Sequence, residues 1–514
     1  MNLRTRHLAL AALAAAPLVS PAAAAPAPAP VPPPRETPDA AFRQGPPAPG
    51  PEPSFHVPAF KRFKLKNGLE VVLAEFHDLP LVDMNLVVKA GGGANPADEA
   101  GLADLTARML DEGTKNRSAL EIADQVAALG ATLSAGSTWD SSSVWLSALT
   151  KNFDAALTIF ADTVVNPTFD PKEFARVRDN LLSAITRRKD SPPTVANLAL
   201  TRVLYGSKHP YGWPMTGVET SIKKLTPGNL RAFYEANWRP NNAVLIVAGD
   251  TTESALRGKL EAALHAWKPR KVAARKLPAP STASASTKIY LVDKADAPQS
   301  SIRVGLIGIQ RTNPDYFPVT VMNMIFGGGF YRLDLNLREG KGWTYGARSS
   351  FDSRKTPGPF SAGGEFVAPH TADSVSEILK ELDSIRDTDV TDAELARAKD
   401  QITKSFPARF ATRASVAAQL AELAVFGLPD SYLTAYTTKI AAVTKDDVRR
   451  VARKYLDPAH LSIVVVGDEK SLHDPLAKLA PVEMRDLDGD PVATAANGGG
   501  AQEPASGAGP VKGE

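Results

Sequence analysis

The chain has 514 residues, 43% hydrophobic and 22% charged, with a formal net charge of +3 and no cysteine. That length exceeds what one ordinary core fills, so two or more domains are expected in a globular protein. The near-neutral balance gives no reason to invoke nucleic acid or an anionic membrane, and the absence of Cys excludes disulfides, thiolate metal sites and a lipidated cysteine.

In chain order, residues 1–25 place Arg4, Arg6 and His7 before the apolar run "LALAALAAAPLV" and the small-residue stretch "SPAAAA". That pattern predicts a secretory signal peptide cut near Ala23 to Ala25, and hence an exported, periplasmic protein. Residues 26–54 are rich in Pro and Ala and read as a disordered spacer. Residues 55–270 open with "NGLEVVLAE", whose Asn67-Gly68 is a tight-turn pair, followed by the alternating strand "LVDMNLVVKA". Helical patterns such as "SALEIADQVAALG" and "FDAALTIFADTVV" come next, and the β-branched run "AVLIVAGD" closes the segment. Residues 271–287 read as a linker, 288–485 as a second folded segment, and 486–514 as a disordered tail. No later stretch reaches the ~18 apolar residues of a membrane span.

The two folded segments resemble each other. "LTPGNLRAFYEANWRPNNAVLIVAGD", ending at Asp250, aligns with "VTKDDVRRVARKYLDPAHLSIVVVGD", ending at Asp468. The same offset pairs Met84, Leu86 and Val88 with Ile302, Val304 and Leu306, so one register holds at both ends and duplication is expected. The order of elements points to α+β architecture: two homologous halves, each a mostly antiparallel sheet with helices packed on one face.

Six stretches carry a family resemblance: "NGLEVVLAE", "KAGGGANPADEAGLADLTARMLDEGT", "HPYGWPMTG", "NWRPNNAVLIVAGD", "GGGFYRLDLNLREGKGWTYGARSSF" and "QLAELAVFGLPDSYLTAYTTKIAAVTKDDVRRVARKYL". They resemble the pitrilysin-like M16 zinc peptidases, particularly bacterial members close to mitochondrial processing peptidase. Members of that family bind zinc through an inverted HxxEH helix and a later Glu, with the motif's own Glu activating the metal-bound water. By position, the first His falls on Asp104, the catalytic Glu on Ala107, the second His on Arg108 and the distal Glu on Ala184. None of the four is kept, so no metal is expected in this chain. The expected role of Asp104 and Arg108 is an i, i+4 ion pair supporting their own helix. The histidines after the signal peptide show no i, i+3 or i, i+4 pairing that would replace the lost ligands.

The resemblance also implies an Arg and a Tyr, assigned to Arg332 and Tyr345, that donate hydrogen bonds to a substrate carbonyl or oxyanion. It further implies a substrate-contacting glycine loop at Gly327, Gly328 and Gly329. "KAGGGANP" reads as a turn chosen for positive φ, and His209 of "HPYG" as a turn residue. The expectation is therefore a silent, peptide-binding subunit that completes the zinc site of a separate HxxEH-bearing subunit. The alternative is a structural or peptide-binding scaffold with no proteolytic role.

Overall fold

The computed structural model describes residues 55–273, 277–280 and 286–492. The expected signal peptide and spacer lie outside the described residues. Both sheets fall within one unit that begins at Phe55.

The first sheet contains β1 (Lys61–Lys64), β2 (Glu70–Glu75), β3 (Leu81–Val88), β4 (Thr132–Ser137), β5 (Ser142–Leu149) and β6 (Ala243–Gly249), ordered β1-β2-β6-β3-β5-β4. The second contains β7 (Lys288–Asp293), β8 (Gln299–Ile307), β9 (Thr344–Phe351), β10 (Pro359–Val367), β11 (Ser462–Gly467) and β12 (Val482–Arg485), ordered β12-β7-β11-β8-β10-β9. Both are mixed: β2 runs parallel to β6, and β7 runs parallel to β11 and β12, while the remaining pairs are antiparallel. The Asn67-Gly68 turn joins β1 to β2, with Gly68 at φ 87° and the Asn67 side chain donating to the Leu264 and Trp267 carbonyls.

Strand register bears out the duplication. Met84 faces Val247 and Leu146 in the first sheet, and Ile302 faces Val465 and Gly364 in the second, the same displacement in every member. Helices Pro227–Asn237 and Lys445–Tyr455 follow the same offset, each opened by a threonine cap, Thr226 or Thr444. The outermost strand breaks the symmetry: β1 precedes its repeat, whereas β12 follows its own.

Each half packs its own helices on one face of its sheet. Leu73, Met84, Leu86 and Leu245, for example, meet Phe160, Leu181 and Leu230. The opposite face is covered as well, by a helix from the other half. Helix Arg413–Phe426 places Val416, Ala417 and Leu420 against Val87, Val244 and Ile246 of the first sheet. Helix Pro192–Tyr205 places Val195, Ala199 and Leu200 against Val292, Val464 and Val466 of the second. The two-sided burial explains why β6, "AVLIVAG", and β11, "SIVVVG", are buried at every position, as in a strand covered on both faces. The exchange also needs close approach: a Cβ on Gly305 would stand 2.6 Å from Leu200 Cδ1.

Contacts of the fold extend into the expected tail and linker. Residues 486–492 are not part of a loose tail: Asp488 pairs with Lys189 at 2.7 Å, Asp490 with Arg202 at 2.6 Å, and Leu487 packs beside the Pro192–Tyr205 helix. Composition marked this segment as polar, but its carboxylates are answered by two cations from the first half. Within the expected linker, Leu277 packs beside the same helix and Tyr211. The rest of the expected tail lies outside the described residues.

Candidate functional site

The helix Leu102–Arg108 holds the degenerate metal positions. Asp104 is 3% exposed, and its Oδ2 accepts from Arg108 Nε at 2.6 Å, the expected i, i+4 pair. Burial raises the Asp104 pKa, and the Arg108 guanidinium pulls it back only in part. Ala107 is fully buried in the first core. Ala184, exposed on helix Pro171–Arg188, lines a cavity of about 560 Å³ with Arg108, Asp111, Glu112 and Arg176. Burial, reinforced by the charge of Glu112, pushes the Asp111 carboxyl up to about 6.

These residues do not fit zinc. The one carboxylate at the four positions is committed to a permanent cation, and the two alanines offer no donor, whereas a zinc site takes about three protein ligands. Among the described residues no group of three or more His, Cys, Asp or Glu is arranged to hold a metal.

In the second half, Tyr345 lies on β9, the sheet edge, and is 92% exposed. It lines a cavity of about 500 Å³ together with Arg303, Arg348, Gln299 and Glu365. Arg332 is placed differently from the expectation. Its Nε and Nη2 donate to the two carboxylate oxygens of Glu394 at 2.7 and 3.1 Å, and its Nη1 to Ser384 Oγ at 3.3 Å. The fork that a substrate carbonyl would need is thereby occupied, because Glu394 caps the following helix Asp392–Ser405 and accepts Arg332 at the same time. Burial alone would raise the Glu394 carboxyl; the Arg332 and Thr391 hydrogen bonds instead hold it down to about 2.

The cations beside the glycine loop are Arg338 and Arg348, organised by Asp334. This carboxylate is fully buried; its Oδ1 accepts from Arg348 Nη1 at 2.5 Å and from the Ala347 amide at 3.2 Å, and its Oδ2 lies 3.7 Å from Arg338 Nη1. Both guanidiniums flank the exposed Phe330 ring, 5.3 and 5.5 Å from its centroid. Asp334 was not singled out by the sequence pattern, where it reads as one of the polar residues alternating with Leu333, Leu335 and Leu337. Of the three loop glycines, Gly327 and Gly328 serve close packing, since added Cβ atoms would stand 2.7 Å from the Ser349 amide and from Met324 Cα. Gly329 differs, having room for a side chain and a carbonyl that accepts from Arg348 at 3.3 Å.

The "HPYG" stretch belongs to a contact between the halves. His209 is 1% exposed and its Nδ1 accepts from the Tyr211 amide at 3.0 Å, so it is a turn residue as expected. Tyr211 Oη donates to Asp140 Oδ1 at 2.7 Å, Asp140 Oδ2 accepts from the Lys355 amide at 3.0 Å, and Tyr205 Oη donates to the Pro357 carbonyl at 2.9 Å. Arg354 stacks on Trp139 and Tyr211, joining the β9–β10 turn to the first half. The glycines of "KAGGGANP" support the same contact by close approach, not by positive φ. A Cβ on Gly91 would stand 2.2 Å from the Thr138 carbonyl oxygen, and the nearest positive φ is at Gly101.

Comparison with known proteins agrees with this architecture. Residues 70–211 match the family described as insulinase (peptidase family M16), and residues 224–402 the one described as peptidase M16 inactive domain. The chain is 23% identical over 346 residues to the uncharacterized zinc protease YmxG of Bacillus subtilis, covering 67% of this chain and 83% of that protein. It is 23% identical over 405 residues to the non-peptidase homolog YmxG of Helicobacter pylori, covering 78% and 92%. Among solved structures, a peptidase M16 inactive domain from Pseudomonas fluorescens superposes with a TM-score of 0.74 at 28% identity, covering 80% of this chain and 98% of that one. With both M16 domains matched in order and two sheets related by duplication, this chain belongs to peptidase family M16.

Proposed function

We propose that this chain is a catalytically silent, substrate-binding subunit of a two-chain exported M16 zinc metalloendopeptidase acting on peptides or unfolded segments. A partner with an intact HxxEH brings the zinc. This chain brings Tyr345 and the adjoining wall of the substrate chamber, and the charged, apolar and small-residue order of its first 25 residues supports export. The observation that carries the reading is Tyr345, a phenol 92% exposed on an edge strand and lining a cavity with two guanidiniums. A tyrosine kept only for packing would bury its ring.

The guanidinium of the site is reassigned from Arg332, which is held by Glu394, to Arg348, which lines the Tyr345 cavity, with Arg338 beside it at the glycine loop, both of them anchored on Asp334. Peptide backbone laid along β9 meets the Tyr345 hydroxyl as a donor, and the two cations as partners for carbonyl oxygens. The test is reconstitution: mixing with an HxxEH subunit gives chelator-sensitive peptidase activity that neither chain shows alone. Full activity of the partner by itself would reduce this chain to an accessory or scaffold.

A further inference from the structure

The cavity left where the family's metal would stand has a construction of its own. Its floor is one face of helix Pro171–Arg188, where Val177, Leu181 and Ile185 recur at i, i+4 and i+8 and are all buried. The ligand position Ala184 is exposed beside them. One side is β4, contributing Ser134 and Ala135; as the outermost strand of its sheet, β4 presents unpaired backbone groups along its free edge.

Five charged side chains line the cavity. Arg176 is answered by Glu112 and Glu173, and Arg108 by Asp104 through Nε alone, with 47% of the Arg108 side chain still exposed. Two charges have no direct ion pair among the described residues, although the Asp488 carboxylate acts on Arg188 from a distance. Arg188 donates from Nη1 to the Gly217 carbonyl at 2.8 Å and to Thr216 Oγ1 at 3.1 Å, while its Nε and Nη2 are buried with no hydrogen-bond partner among the described residues. Asp111 has no ion-pair partner among them either.

We propose that this cavity is a receptor for the carboxyl-terminal residue of a peptide, with the terminal carboxylate seated toward Arg108 and Arg188. The backbone N–H of that residue donates to Asp111, its apolar side chain rests on Val177, Leu181 and Ile185, and the preceding residues run along β4. A carboxylate meets the Arg188 nitrogens that have no hydrogen-bond partner, where the charge of Asp488 acts only from a distance, and the amide adds a donor to Asp111 beyond its own backbone N–H. In losing zinc, the position has become an anchor for a chain end, and this holds with or without a catalytic partner.

The test uses the full chain alone and fluorescence anisotropy of an N-terminally fluorescein-labelled pentapeptide ending in leucine. It is compared as the free acid, as the C-terminal amide, and as an amide ending in glutamate. The free acid is expected to bind about 10- to 100-fold tighter than the leucine amide, the range for charge-assisted hydrogen bonds. The glutamate amide is expected to bind as weakly as the leucine amide. Ala184→Trp, which fills the cavity from an exposed helix position, is expected to abolish the preference while the far-UV circular dichroism stays unchanged. Equal binding of acid and amide, no binding of the acid at millimolar concentration, a glutamate amide as tight as the acid, or a folded Ala184→Trp variant that keeps the preference would each overturn the assignment. None of these readouts depends on peptidase activity, so this proposal and the two-chain enzyme fail separately.

Discussion

Arg108 Nε donates to Asp104 Oδ2 at 2.6 Å, one helical turn apart, at the two positions to which the family resemblance assigns the zinc-binding histidines. The partners are unequal: Asp104 is 3% exposed and Arg108 47%. The pair is therefore a buried carboxylate neutralised from the surface, and it differs from an exposed helix pair worth a few tenths of a kcal/mol.

Removing the cation alone strands the anion. Arg108→Ala is expected to cost about 1–3 kcal/mol in urea unfolding, the range for a buried group left unsatisfied. Asp104→Asn with Arg108→Gln, which leaves no charge behind, is expected to cost clearly less. Equal losses in the two variants would show that burial of Asp104 has little energetic consequence.

Restoring the family's ligands is expected to damage the fold before it makes a site. Ala107 is fully enclosed in the first core, so a Glu there must enter a space with no room for its carboxylate. Asp104→His, Ala107→Glu, Arg108→His and Ala184→Glu together should lower the melting temperature, and zinc content measured by elemental analysis shows whether any metal is gained. A variant as stable as the parent would mean that the core yields at Ala107.

The cavity also fixes a pH dependence. Asp111 has a folded value of about 6 against 3.8 for the free side chain. Between those values the folded state holds a proton that the unfolded state has released. Its contribution is therefore greatest at low pH and is lost as pH rises through about 6. Asp111→Asn should flatten the stability profile between pH 4 and 6.5, raising stability at pH 7 by about 1–2 kcal/mol relative to the parent, once partial exposure of the carboxylate is allowed for. An unchanged difference between the proteins across that range would contradict it.

What could be read from the sequence follows from which interactions are local or repeated. The duplication was legible because one offset aligned Met84 with Ile302 and Asp250 with Asp468, and strand register preserves offsets to the residue. The Asp104–Arg108 pair was legible because helical spacing dictates it. The helix exchange was not, since the apolar stripe of residues 192–205 is the same whichever sheet receives it. The fate of Arg332 was not legible either, because its partner Glu394 lies 62 residues further on. Nor does family spacing alone distinguish a guanidinium bound to a cap from one open to a chamber.

Arg332 and Tyr345 now separate experimentally. Arg332→Ala should destabilise the chain by about 1–3 kcal/mol through loss of the Glu394 pair, and the folded fraction should assemble into an enzyme with normal kcat. Tyr345→Phe should do the reverse. The hydroxyl is lost while ring and strand remain, so melting temperature, assembly and zinc content of the complex stay the same. If the hydroxyl donates to the oxyanion that forms at the partner's zinc, kcat should fall by about 10²–10³, the loss seen when one oxyanion donor is removed. Arg338→Ala should weaken substrate binding as well, because a guanidinium holds a ground-state carbonyl and contributes to KM. Wild-type turnover from a complex carrying Tyr345→Phe would leave the exposed phenol without a chemical role, and the scaffold reading would then be the better account of this chain.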